Sequence, residues 1–180
     1  MNTRLVGLSL VAGWLFTGLA WAAEPDSTQI KDEWRGQKLL AAKPGVLLRE
    51  QPNDQAPTSP VSTVGIWLEV KRSEGDWLEA DWGWIRAADT VREDQAVEHF
   101  TAELAKSENA FAYIHRSRAW LKKSEFDKAQ ADVSEALRLE PNNARAYFVR
   151  SRIAADQIRT EEGLSACVRA LTIDPRDPIA

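Results

Sequence analysis

Near neutral pH, few groups in this chain of 180 residues could attack a substrate, shuttle a proton or bind a transition metal: one thiol, Cys167, and two imidazoles, His99 and His115. His99 and Glu103 stand four residues apart, a spacing that puts two metal ligands on one helical face, but the sequence supplies no third ligand beside them. A lone cysteine can form neither an internal disulfide nor a cysteine zinc cluster. Glycine-rich phosphate loop, nucleophile elbow and paired carboxylates at a glycine-flanked strand end are all missing. The expectation is a chain with no catalytic residue, no metal site and no cofactor, hence not an enzyme.

The arginines are the sharper chemical feature. Arg116-Ser117-Arg118 returns 34 residues later as Arg150-Ser151-Arg152. Guanidinium groups set among apolar side chains suit an acidic or C-terminal peptide, whereas arginines on a solvated helix face would only pair with neighbouring acids. Both readings stay open on the sequence.

Those arginines belong to a longer repeat. Laying residues 109–142 over 143–176 without a gap gives ten identities, among them Asn109/Asn143, Tyr113/Tyr147, Ser117/Ser151, Ala136/Ala170 and Pro141/Pro175. Small residues at Ser117, Ala129 and Ala136 allow two antiparallel helices to cross closely, Trp120 and Phe126 fill the volume left, and each proline ends a second helix. Period and residue pattern resemble the tetratricopeptide repeat, with a first unit at 109–142 and a degenerate second at 143–178, where Ala154, Thr160 and Gly163 stand for Trp120, Phe126 and Ala129. Residues 93–108 carry an amphipathic stretch with Ala96, Val97, Phe100 and Leu104 on one face, read as a capping helix.

The resemblance implies a concave face lined by Phe111, Ile114, Arg118 and Leu121, then Arg145, Phe148, Arg152 and Ala155, as a peptide-binding groove. It also makes Cys167 a core contact equivalent to Val133 and leaves His115 exposed. The Lys/Asn clamp that some members use for carboxylate tails is not present.

Before residue 91 the composition changes. Trp34, Trp67, Trp77, Trp82 and Trp84 crowd this half, and the patterning is of strands: 45–49 behind a Pro44-Gly45 turn, 66–71 with alternating polarity, 77–81 after the Gly75-Asp76 turn, and a fourth from Trp82. Between the first two, residues 51–63 hold Pro52, Pro57 and Pro60 and read as a long loop. Gly75-Asp76-Trp77-Leu78 followed by Gly83-Trp84-Ile85 resembles the bacterial SH3 (SH3b) domain over residues 34–91. The resemblance implies a small β-barrel. The aromatic stretch with which eukaryotic SH3 domains take PxxP ligands is absent. Trp67 and Trp82 are candidates for an aromatic groove on this domain, while Trp77 and Trp84 fit structural positions.

Residues 1–22 read as an export signal: Arg4, an apolar run at 5–19 and Ala20-Trp21-Ala22 before the cut. Cleavage would free a periplasmic or extracellular protein with a polar leader at 23–33 and no integral span. An uncleaved signal would instead anchor it in a membrane. A net charge of −4, with no basic cluster, argues against nucleic acid as a partner.

The fold class is therefore α+β multidomain, a small SH3-like β-barrel followed by an all-α array of helical hairpins. The function is that of an exported, non-catalytic adaptor binding another protein or peptide. The alternative gives the barrel the main part, as a cell-wall (peptidoglycan) or peptide recognition module with the helices as spacer. Because nothing in the chain covers Leu164, Val168 and Leu171 of the last unit, a homodimer through that face is a further expectation.

Overall fold

Eight short strands come first along the chain: β1 (Lys38–Ala41), β2 (Leu47–Arg49), β3 (Thr58–Ser62), β4 (Leu68–Glu69), β5 (Arg72–Glu74), β6 (Trp77–Ala80), β7 (Gly83–Arg86) and, after a 3-10 turn at Ala87–Asp89, β8 (Thr90–Arg92). The computed structural model describes residues 33–175; residues 1–22, expected to be an export signal, the expected leader up to residue 32 and the last residues of the expected second repeat lie outside the described residues. The strands make two antiparallel sheets, ordered β4-β1-β8 and β3-β2-β7-β6-β5. Among the described residues no ladder joins the two, so the sheets enclose a shared core without closing into one barrel.

Two differences from the sequence reading have simple causes. Within the proline-rich segment 51–63, Thr58–Ser62 is a strand after all, because β3 lies at the edge of its sheet, where the missing donor of Pro60 leaves no ladder bond unmade. β1 escapes detection because it has no polar face. Leu39 packs into the core between the sheets and Leu40 into the seam against the helices, both fully buried, so the run shows no alternation. The stretch 66–71 forms a strand only at Leu68–Glu69.

Five helices follow: α1 (Ala96–Lys106), α2 (Ala110–Lys122), α3 (Phe126–Leu139), α4 (Ala144–Asp156) and α5 (Thr160–Ile173). The period of the sequence is a period of the structure. Asn109 and Asn143 cap α2 and α4 by accepting from the backbone N–H of Ala112 and Ala146, at 2.8 and 3.0 Å. Ser117 and Ser151 donate to the carbonyls of Ile114 and Phe148. Both hairpins turn through a left-handed residue, Ser124 (φ 58°) and Ile158 (φ 61°). A β-branched residue is strained there, and Ile158 is 86% exposed, so its side chain has little packing to lose. Ile158→Gly should raise stability by about 1 kcal/mol in urea unfolding, and a fall would mean that the backbone strain is smaller than this.

Of the repeated arginines, Arg116 is structural. It grips Asp132 of α3 with two bonds, at 2.9 and 2.7 Å, and reaches Thr101 of α1 at 3.2 Å. Asp132 is buried. The equivalent Arg150 meets Glu162 at only 3.8 Å with both groups part-exposed. Asp132→Ala should therefore destabilise by about 2 kcal/mol, the figure for a buried pair discounted for the exposure of Arg116, while Arg150→Ala should stay within about 0.5 kcal/mol. Equal thermal shifts for the two variants would refute the distinction.

Candidate binding site at the seam of sheets and helices

The sheets and helices meet through α2. Phe100, Ala112 and Ala119 pack with Leu40 and Val91 in one apolar cluster, and Phe111 reaches from α2 to the core between the sheets. Val64, just before β4, packs on the cluster formed by α2, α3 and α4. Gly65 lies so close to α2 that a Cβ there would sit 3.0 Å from Ile114 Cγ2.

His115 is the hinge pin of this seam, and its position corrects the sequence reading of an exposed residue. It is completely buried. The backbone N–H of Gly65 donates to its Nε2 at 2.9 Å, and its ring lies 4.1 Å from that of Phe111 and 5.1 Å from that of Phe100, centroid to centroid. Desolvation pushes its pKa down to about 3, with Arg118 and His99 adding smaller effects. A signal was available, since the period matches His115 to Val149, also fully buried.

The same docking decides what becomes of the expected groove. Ile114 is fully buried beneath Gly65, and Arg145 is buried too. Phe111 is committed to the core, and Phe148 is half-buried away from the cleft. Arg118, Leu121 and Arg152 remain, and they line a cleft of about 420 Å³ between helices and sheets, with Trp67 as a fourth wall from the sequence-chosen set. Lys38, Glu69, Asp81, Lys122 and Asp156 complete it. Lys122 and Asp156 follow Arg118 and Arg152 by one helical turn, so the repeat pointed to them, whereas Lys38, Glu69 and Asp81 of the β-domain join the cleft only through tertiary packing.

Electrostatically the cleft is crowded with cations. Arg118 is largely buried, and its pKa is lowered to about 10, first by burial and then by Arg152 and Arg145, with Asp156 pulling the other way. Its Nε is buried with no hydrogen-bond partner. Arg152 donates to Asp156 at 3.0 Å, and Lys71 pairs with Asp81 at 3.3 Å. Such an arrangement can accept an anionic group from outside, in a space with an aromatic wall.

The tryptophans divide in two. Arg86 stacks 4.6 Å above Trp77 while binding Asp54, and Arg72 stacks 4.8 Å above Trp84 while binding Glu79. Both rings are buried, with the stacked guanidinium of the chain itself over each. Trp67 is half-buried at the seam, whereas Trp82 is 41% exposed and is not a wall of the cleft, so the two candidates for an aromatic groove do not share one.

Cys167 is partly buried on α5, and His99 is held by the carbonyl of Ala42 at 3.1 Å. Among the described residues, no group of three His, Cys, Asp or Glu side chains is placed to hold a metal ion.

No family model matches this chain, and no curated protein does. Two solved structures are similar to it in part. One is the tetratricopeptide (TPR) domain of OM64 from Arabidopsis, at 25% identity and a TM-score of 0.46, covering 48% of this chain and 73% of that one. The other is the second TPR domain of Spaghetti (RPAP3), bound to the HSP90 peptide SRMEEVD, at 23% identity and a TM-score of 0.43, covering 46% and 72%.

Proposed function

We propose that this chain is an exported, non-catalytic adaptor that binds another protein or peptide with its tetratricopeptide-like hairpins, joined to an SH3b-type β-domain. The observation that carries the reading is the cleft at the seam, where repeated arginines from α2 and α4 meet Trp67 of the β-domain. Helical repeats are scaffolds whose stacked units offer binding surfaces, and nothing in the cleft resembles a nucleophile with its base. Wall recognition by the β-domain is the competing reading.

Two pull-downs with the full chain decide between them, one against isolated cell-wall sacculi and one against solubilised envelope proteins, each repeated with Arg118→Ala/Arg152→Ala. A protein partner weakened by the double substitution is expected, by roughly 1–3 kcal/mol for lost charge-assisted bonds. Retention on sacculi indifferent to both arginines would favour wall recognition. Export itself is tested by intact mass, which should lack residues 1–22.

The last helix bears on self-association. On α5, Leu164 and Val168 are each 62% exposed and Leu171 40%. At the other end of the helices α1 exposes Glu98, Thr101, Ala102 and Ala105, too polar to mate with that stripe head to tail. A two-fold pairing of α5 with its copy buries the stripe on both sides. Light scattering over a dilution series should show a dimer that Leu171→Glu abolishes; a monomer at every concentration would exclude it.

A further inference from the structure

The two hairpins repeat each other's sequence but not each other's charges, and the difference leaves a pocket in the second. In the first unit Arg116 grips the carboxylate of Asp132 with two bonds, at 2.9 and 2.7 Å, while its guanidinium stands 5.7 Å from the ring centroid of Tyr113. The period carries Arg116 to Arg150 and Tyr113 to Tyr147, but Asp132 to Ala166, Glu135 to Arg169 and Glu108 to Asn142. The second unit thus keeps the guanidinium and the ring and drops these three acids.

What remains is a space of about 320 Å³ between α4 and α5, lined by Tyr147, Arg150, Glu162, Ser165, Ala166 and Arg169. Ala166 is buried at the place that Asp132 fills in the first unit, so a methyl group stands where a carboxylate would. Glu162 does not replace it. It lies one turn earlier on α5, meets Arg150 at only 3.8 Å, and is held by Arg159 at 2.5 Å. Arg169 donates to Asn142 at 3.2 Å, with its guanidinium 5.8 Å from the centroid of Tyr147. With Glu162 matched by Arg159, the two guanidiniums of the lining are left without a carboxylate of their own, and a planar carboxylate offers the acceptors that a guanidinium edge fits best. Deleting a side chain from a closely packed site leaves a receptor for a small molecule of the same chemistry, as an apolar cavity takes up a hydrocarbon. The volume lies at the small end of the range for ligand pockets, roughly 300–1,000 Å³, and fits a small organic acid rather than a peptide.

We propose that this pocket binds a small free carboxylate, whose oxygens take the place of those of Asp132 and accept from the guanidinium of Arg150, with Arg169 as the second cation and the ring of Tyr147 as one wall. The site belongs to α4 and α5 alone and shares no lining residue with the cleft at the seam. Its ligand ties the two helices together from outside, as the Arg116–Asp132 pair ties α2 to α3 from within, and so stabilises the last hairpin.

The test follows the side-chain Nε–H signal of Arg150, identified by its loss in Arg150→Lys, in proton–nitrogen spectra of the full chain, with chloride holding the ionic strength constant. Acetate, succinate, inorganic phosphate and an amidated peptide with an internal glutamate are titrated in turn. The better of the two small acids should shift the signal saturably in the millimolar range, with phosphate and the peptide about tenfold weaker or more. Ala166→Asp supplies the missing carboxylate from within the chain, so it should raise the melting temperature and leave the signal indifferent to the acid. Arg169→Gln, at an exposed side chain, should weaken the acid about fivefold or more. No saturable shift with either acid, phosphate or the peptide binding as tightly as the acid, or a folded Ala166→Asp chain that takes up the acid like the wild type would each overturn the proposal. If Ala166→Asp does not fold, Arg169→Gln decides, and an unchanged affinity there overturns it. A chain that captures a protein partner through Arg118 and Arg152 yet ignores both acids would overturn this inference alone and leave the adaptor reading standing.

Discussion

Gly83→Ala should destabilise the protein by about 3 kcal/mol or more, enough to consume much of the stability of an ordinary domain. Gly83 opens β7 with φ at +142°, a conformation that an L side chain rarely adopts. A Cβ there would lie 2.6 Å from the carbonyl oxygen of Arg49 and 3.4 Å from Leu48 Cβ. Neither neighbour can withdraw. Arg49 pairs with Trp84 across β2 and β7, on the inner rows of the five-stranded sheet, and Leu48 is fully buried. Gly75 is the control: its φ is also positive, at +56°, but a Cβ would meet nothing within 4 Å, so Gly75→Ala should cost only about 1 kcal/mol. Urea unfolding followed by tryptophan fluorescence separates the two, and comparable losses would show that the close approach to Arg49 is not what requires glycine.

Between pH 7 and pH 5 the wild-type protein should lose about 2 kcal/mol of stability that His115→Gln does not lose. The folded pKa of His115 is pushed down to about 3 by burial, below its ordinary value of 6.5. In this window the unfolded chain therefore binds a proton that the folded chain excludes, and stability falls as pH falls, by up to about 1.4 kcal/mol per pH unit. The loss starts near pH 6.5 and runs to about pH 3. Its cause is specific, because a protonated ring could no longer accept the N–H of Gly65 and would put a charge between Phe100 and Phe111, near Arg118 and His99. Glutamine keeps an acceptor for Gly65 without titrating. Glu103 and Asp54, whose pKa values are lowered by Lys106 and Arg86, lose their contribution at more acid pH and do so in both proteins. Identical pH profiles for wild type and variant would place the acid sensitivity elsewhere.

The surroundings of His115 explain why the seam is hard to read from one half of the chain. The contact between Gly65 and His115 joins residues 50 apart in sequence. A single repeat unit, read alone, assigns His115 to water and Ile114 to a ligand; the β-domain then covers both, and of the expected groove residues Arg118, Leu121 and Arg152 still line a cleft.

What the sequence determined by itself is what local physics controls. Helix starts follow from Asn109 and Asn143, whose side chains cap the backbone three residues on. Hairpin lengths follow from the 34-residue period, and the polar-to-apolar spacing picks the faces that pack within each hairpin. Gly75-Asp76 marks its turn for the same reason. Tertiary structure alone decided the rest. It made a strand of Thr58–Ser62 by leaving it at a sheet edge, buried both faces of Lys38–Ala41 so that its pattern vanished, and drew Lys38, Trp67, Arg118 and Arg152 around one cleft. Those outcomes depend on which surfaces exclude water from each other across long stretches of chain. Burial of that kind is non-directional and leaves no periodic trace in the residues that take part.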